Sequence, residues 1–240
     1  MKHNVPPLNQ MEPVAQKSIK HFKSLSRRLL MTQENEKRLL VRRLHDELSQ
    51  TITGLRLTLG AVAAQADDKI KEHLVASVAV LDALVETTRN LSMELRPPML
   101  DDLGLLSALS WYCQHYFAKT GVVVEFVHDG IDGRLPPDVE TSAYRIVQQA
   151  LDNVARHAGS HDVVVCVSAN RKNLHIEVSD QGKGFDADLV LRLHPSSGLS
   201  EMSERAALLN GRLEVNSIVG RGTSIVAELP LNQPQDTLSE

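Results

Sequence analysis

The chain has 240 residues and a formal net charge of −4, enough for one large or two modest domains and too acidic for a nucleic-acid binder as a whole. Hydrophobic residues make up 42% and charged residues 23%, the balance of a globular protein, while 3% aromatics leave the core to aliphatic side chains. No apolar run approaches the roughly 20 residues that cross a bilayer, and no signal-peptide pattern opens the chain, so a cytoplasmic protein without a membrane span is expected.

Residues up to about Val14, with Pro6, Pro7 and Pro13, read as a flexible lead-in. Ala15 to Glu36 reads as a polar, basic helix with an apolar stripe at Ile19, Phe22, Leu25, Leu29 and Leu30. Its lysines and arginines read first as a solvated face, and more weakly as a segment that follows a membrane helix in a longer relative. No proline or glycine separates it from the next segment, so the two are expected to form one rod able to pass a rotation or register shift.

The apolar residues Val41, Leu44, Leu48, Ile52, Leu55, Leu59 and Val62 then recur in steps of three and four, a helical period with a coiled-coil bias. His45 sits at the edge of that stripe with Asp46 as its chain neighbour, and Asp46 and Gln50 share a face. An imidazole beside a carboxylate is a candidate nucleophile; a solvated helix edge is the plainer reading of these residues taken alone. A polar break at Gln65–Asp68 ends this helix. A second runs from Ile70 to Leu95, with its stripe at Ile70, Leu74, Val78, Leu81, Val85, Thr88, Leu91 and Leu95, and Arg96-Pro97-Pro98 stops it. One hairpin cannot cover both stripes, so two copies are expected to pair as a four-helix bundle in a homodimer.

Beyond the prolines the pattern changes. A helix is expected over Gly104–Lys119, a strand over Val122–Val127, a turn at Asp129–Gly133 and a long helix over Pro137–His157. Val163–Ser168 and Leu174–Ser179 read as a hairpin, Leu199–Leu209 as a helix, and Arg212–Ser217 and Thr223–Leu229 as two further strands. That order describes helices on one face of a mixed sheet. Cys113 and Cys166 fit no metal or redox spacing and read as buried thiols.

Four stretches of this half could hold a nucleotide. Gln149, Asn153 and His157 are spaced by four on one helix, beside Arg156, and the amide oxygen of Asn153 suits a hard cation such as Mg²⁺. Asp180-Gln181-Gly182-Lys183-Gly184 follows a strand; its glycines admit a ligand to the backbone, and Asp180 can accept from an exocyclic amine such as that of adenine. Ser196-Ser197-Gly198-Leu199 opens a helix whose free N–H groups attract phosphate. Gly220-Arg221-Gly222-Thr223 is a turn between strands. Each is weak alone, and neither a P-loop nor a strand-to-helix G-x-G-x-x-G is present; their order and spacing together carry the signal.

In that order, the second half resembles the ATP-binding catalytic domain of histidine kinases, of the GHKL (Bergerat) fold. The first half resembles the dimerisation and phosphoacceptor module of the nitrate-sensor type of two-component kinase. The resemblance spans about Glu34 to Leu231. It rests on Arg43-Leu44-His45-Asp46-Glu47-Leu48-Ser49-Gln50, Leu95–Pro98 with Leu100-Asp101-Asp102-Leu103-Gly104-Leu105, and Ala143-Tyr144-Arg145-Ile146-Val147-Gln148.

The resemblance implies an α+β chain: residues 1–33 a lead-in and signalling helix, 34–103 the phosphotransfer hairpin, 104–232 an α/β sandwich, and 233–240 a tail. It makes His45 the phosphorylated residue, Asp46 its helper carboxylate and Gln50 the amide that orients water for phosphatase action. It places Mg²⁺ at Asn153 with Gln149, and the adenine-reading carboxylate at Asp180. ATP contacts fall on Arg156, His157, Gly182, Gly184, Gly198, Leu199, Gly220, Gly222 and Thr223. The implied partner is a response regulator, of the DNA-binding kind in this family. Two departures stand out: Gln149 where the family has Glu, and Ser196 where it has Gly. The first leaves a phosphatase-dominant or kinase-impaired member as an alternative, beside a non-enzymatic nucleotide-binding scaffold.

Overall fold

The computed structural model describes residues 8–95, 97–187, 190 and 198–232; within its helices, side chains such as that of His45, and those of residues 8–24, are outside the described set. Residues 32–102 form one compact unit, and the chain from Leu103 onward forms another.

The basic segment and the His45 segment are one helix, α1, Leu8–Gln65. It begins ahead of the expected Ala15 and runs through Pro13. A two-residue turn leads to α2, Asp68–Leu95. Asp67 caps it, its Oδ1 accepting the Ile70 N–H at 3.0 Å. Arg56 on α1 donates from Nη1 to Asp82 Oδ1 on α2 at 3.2 Å, so the two helices run side by side as an antiparallel hairpin. Val41 and Ile52 of the stripe are buried, but Leu55 and Val62 on α1 and Ile70 on α2 remain close to half exposed. Among the described residues no helix is long and apolar enough to cross a membrane.

The Arg96-Pro97-Pro98 stop holds, yet a short helix the periodicity missed, α3, Pro98–Leu103, starts on its second proline, whose fixed φ suits a first helical position. The second unit then lays down α4 (Leu105–Thr120), β1 (Val123–Asp129), α5 (Pro137–Asn153), a π-helical turn (Val154–Ala158), β2 (Asp162–Ala169), β3 (Asn173–Asp180), α6 (Gly198–Leu208), β4 (Arg212–Ser217) and β5 (Thr223–Pro230). The five strands form one sheet in the order β1-β2-β3-β5-β4. β1 and β2 are parallel, joined by the crossover that carries α5, and every other pair is antiparallel. Alternate residues of β2, β3 and β5 (Val163, Val165 and Val167; Leu174, Ile176 and Val178; Ile225, Ala227 and Leu229) are buried beneath the helices.

α5 is fixed at both ends. Near its start Glu140, 2% exposed, accepts from Arg134 Nη2 at 2.8 Å, from Arg134 Nε at 3.1 Å and from the Leu135 N–H at 3.1 Å. Arg134→Ala would leave that buried carboxylate without its guanidinium, and we expect a loss of about 3 kcal/mol. The loss should appear as a lower urea midpoint at unchanged slope; a change below about 1 kcal/mol would mean the pair is effectively solvated. At its other end, Tyr116 Oη on α4 donates to the Leu151 carbonyl at 2.7 Å. That carbonyl lies where the ladder passes from α to π, the kind of side-chain intrusion that accompanies such a change.

The two thiols differ from each other. Cys113 is buried, and burial pushes its thiol up to about 12. Cys166, expected inside, is only half-buried because it points to the uncovered face of the sheet; burial, then the carboxylates of Glu177 and Glu125, raise its pKa.

Candidate functional site

A cavity of about 410 Å³ opens between α5 and the edge where β3 meets β5, within the size range of small-molecule sites. One wall is a helical stripe, Ala150, Asn153, Val154, His157 and Ala158. The floor is Val178 and Asp180 of β3 with Thr223 and Ile225 of β5. Strand register explains that pairing: Asp180 lies opposite Thr223 and Val178 opposite Ile225. Lys183, Gly184 and Phe185 form a third side, and Val190, Gly198 and Leu199 a fourth. The lining is apolar, with three titratable side chains, His157, Asp180 and Lys183.

Asp180 is oriented from within its own loop, its Oδ1 accepting the Gly182 N–H at 2.8 Å. The loop is tied on both sides: Lys183 N–H donates to the Ala158 carbonyl at 2.9 Å, and Gly220 N–H donates to the Lys183 carbonyl at 2.6 Å. The glycine turns interlock. Gly184, at φ +58, leaves no room for a Cβ against the carbonyls of Ile218 and Gly222, and Gly222, at φ +85, leaves none against the Asp180 carbonyl. Ser217 completes the joint: its hydroxyl accepts the Phe185 N–H at 2.9 Å and lies 3.2 Å from the Gly222 carbonyl and 2.9 Å from Thr223 Oγ1.

Of the residues singled out in the sequence, Asn153, His157, Asp180, Gly184, Gly198, Leu199 and Thr223 line the cavity. Gly182 is packed against Ala158, and Gly220 and Gly222 sit in the turn behind the loop. Gln149 lies off the cavity, its amide against Gly198 where α6 begins. Arg156, exposed on the π-turn, is not among the lining residues. Asp46 and Gln50 are exposed on α1 in the helical unit, while the His45 side chain, Ser196 and Ser197 fall outside the described residues. Lys183 and Phe185 were not singled out, nor were the apolar walls; period-two alternation in β3 and β5 was the available signal for Val178 and Ile225.

Among the described residues no group of three or more His, Cys, Asp or Glu side chains is gathered for an all-protein metal site. A cation here would rest on an amide oxygen such as that of Asn153 and on oxygens of the ligand itself, which fits Mg²⁺, an ion that keeps several waters and binds through substrate phosphates.

Comparison with known proteins agrees with this geometry. Residues 36–100 match the family described as histidine kinase, and residues 138–233 match histidine kinase-, DNA gyrase B- and HSP90-like ATPase. The sensor histidine kinase MctS of Rhizobium johnstonii is 33% identical over 225 residues, covering 91% of this chain and 49% of that protein. The oxygen sensor histidine kinase NreB of Staphylococcus carnosus is 32% identical over 226 residues, covering 93% of this chain and 65% of that one. The chain thus spans about half to two thirds of the length of these curated relatives. The solved histidine kinase domain of the Erythrobacter litoralis EL346 blue-light activated histidine kinase is more distant, at 18% identity and a TM-score of 0.46 over 76% of this chain and 94% of that one. With the histidine kinase family matched on the hairpin and the ATPase family matched on the sheet that builds the cavity, the chain belongs to the two-component histidine kinases.

Proposed function

We propose that this chain, as a homodimer, transfers the γ-phosphoryl group of ATP to a ring nitrogen of His45 and passes it on to an aspartate of a response regulator. The observation that carries the reading is the cavity that brings Asn153 on α5 opposite Asp180 and Thr223 on paired strands. Asp180, held by the Gly182 N–H, accepts from the exocyclic amine of adenine. The apolar walls take the ring, and the first N–H groups of α6 face the phosphates. Asn153, with Gln149 as the other candidate, would hold Mg²⁺, which when bound neutralises charge developing on the transferred phosphoryl. On α1, Asp46 orients the imidazole and takes its proton as the N–P bond forms and the bond from phosphorus to the leaving oxygen of ADP breaks. Gln50, one turn beyond Asp46, places water for hydrolysis of the phosphorylated regulator. The half-exposed stripe of Leu55, Val62 and Ile70 supports the second copy. The regulator is taken to be a DNA-binding transcription factor, and the kinase itself to act in the cytoplasm without touching nucleic acid.

A second reading, a kinase-impaired and phosphatase-dominant member, draws on Gln149, whose amide lies against Gly198 and can accept no proton. Incubation with γ-labelled ATP and Mg²⁺ separates the two. A label that is stable in alkali and lost in acid marks phosphohistidine, and no label at all excludes the kinase. Gly222→Ala tests the pocket independently. A Cβ there is strained at φ +85 and collides with the Asp180 carbonyl, so a fluorescent ATP analogue should bind at least about tenfold more weakly. Unchanged affinity would detach the nucleotide from this loop.

A further inference from the structure

Asp101 belongs to α3, the helix that leads out of the helical unit. Its Oδ2 accepts from Arg38 Nε at 2.8 Å, and Arg42 Nη2 lies 3.5 Å from the same oxygen and 3.7 Å from Asp102 Oδ1. Arg38 and Arg42 are one turn apart on α1 and project from one face. An ordinary surface pair contributes little, but this one is set differently. The Asp101 side chain is only 10% exposed, and on the same two helices Val41 and Leu100 are each 2% exposed. α3 is therefore fastened to α1 by charge just ahead of His45, with buried apolar residues on both helices beside the contact. Gly104, at φ +84 and buried against Arg134 and Glu140, follows at once as the residue that opens α4.

We propose that Arg38, Arg42 and Asp101 form an ionic clasp that restrains autophosphorylation, and that rotation or register shift of α1 opens it. The proposal rests on the kinase reading above. With the clasp shut, only Gly104 separates α3 from α4, so Leu103 and Leu105 lie at most about 7 Å apart even with the link fully extended. With it open and α3 unwound, the segment from Pro97 to Gly104 can extend to about 28 Å. The catalytic unit then samples orientations that the short tether forbids. A rotation of α1 carries both arginines off the Asp101 face together, because they share one face, so a small movement breaks both contacts at once.

The test uses the full chain. Arg38→Gln with Arg42→Gln removes two partly exposed guanidiniums and leaves the apolar packing in place; Asp101→Asn opens the clasp from the other side. Both variants should exchange the amide hydrogens of Met99–Leu103 at least tenfold faster than the parent. Both should take label from saturating ATP at least threefold faster, with an unchanged KM for ATP. Arg38→Glu with Arg42→Glu should behave alike, and adding Asp101→Arg to that pair should bring the labelling rate back toward the parent's, a rescue that a purely structural role for α3 would not give. Unchanged exchange in both variants would overturn the clasp. Faster exchange with an unchanged or slower labelling rate would overturn its regulatory role. A parent chain that takes no label would instead sink the kinase reading, and with it the restraint, while exchange alone would decide whether the clasp exists.

Discussion

The His45→Gln variant is expected to take no label from ATP while binding the nucleotide as tightly as the parent. Glutamine keeps a polar side chain on the helix but offers an amide nitrogen, whose lone pair is delocalised and cannot attack phosphorus as an imidazole nitrogen does. Affinity should not move, because every residue lining the cavity falls between Ala150 and Ile225, far along the chain from α1. The measurement is a labelling time course beside a titration with a fluorescent ATP analogue. Retained label would place the acceptor elsewhere, and a parallel loss of affinity would mean that α1 contributes to the nucleotide site.

Asn153→Ala should weaken ATP binding about 100-fold in the presence of Mg²⁺, a difference of about 2.8 kcal/mol. Asn153 sits in the cavity wall between Ala150 and Val154, which are buried. An alanine continues that apolar stripe without disturbing α5, so the loss should come from the missing amide oxygen and not from unfolding. Titration with and without EDTA isolates the term: in the chelator, parent and variant should bind alike. Equal affinity in Mg²⁺ would count against Asn153 as the metal ligand, and with it the orientation of the phosphates.

Much of this architecture is legible in the residues. Steps of three and four from Val41 to Val62 mark α1, and alternation in β2, β3 and β5 marks the buried face, because those periods follow directly from backbone geometry. The Asp180 and Thr223 stretches could be singled out by their glycines, but their adjacency is a matter of register, which a single strand does not carry. Arg156, beside His157 on this helix, falls in a π-turn accompanied by a hydrogen bond from Tyr116 on another helix, an interruption that residue spacing does not announce. Gly182, Gly220 and Gly222 stand out in the sequence because glycine admits close approach; in the structure Gly182 packs against Ala158, Gly222 against the Asp180 carbonyl, and the Gly220 N–H donates to the Lys183 carbonyl. α3 was hidden because Pro97 and Pro98 read as a stop, and a stop followed by a first-turn proline looks the same in sequence.

The interlocked turns also bear on how the domain assembles. Gly184 packs against the carbonyls of residues 218 and 222, and Gly222 against that of residue 180, so the form of both loops depends on the pairing of β3 with β5. A ligand seated in the cavity therefore adds its binding energy to the paired sheet and stabilises the folded domain as a whole.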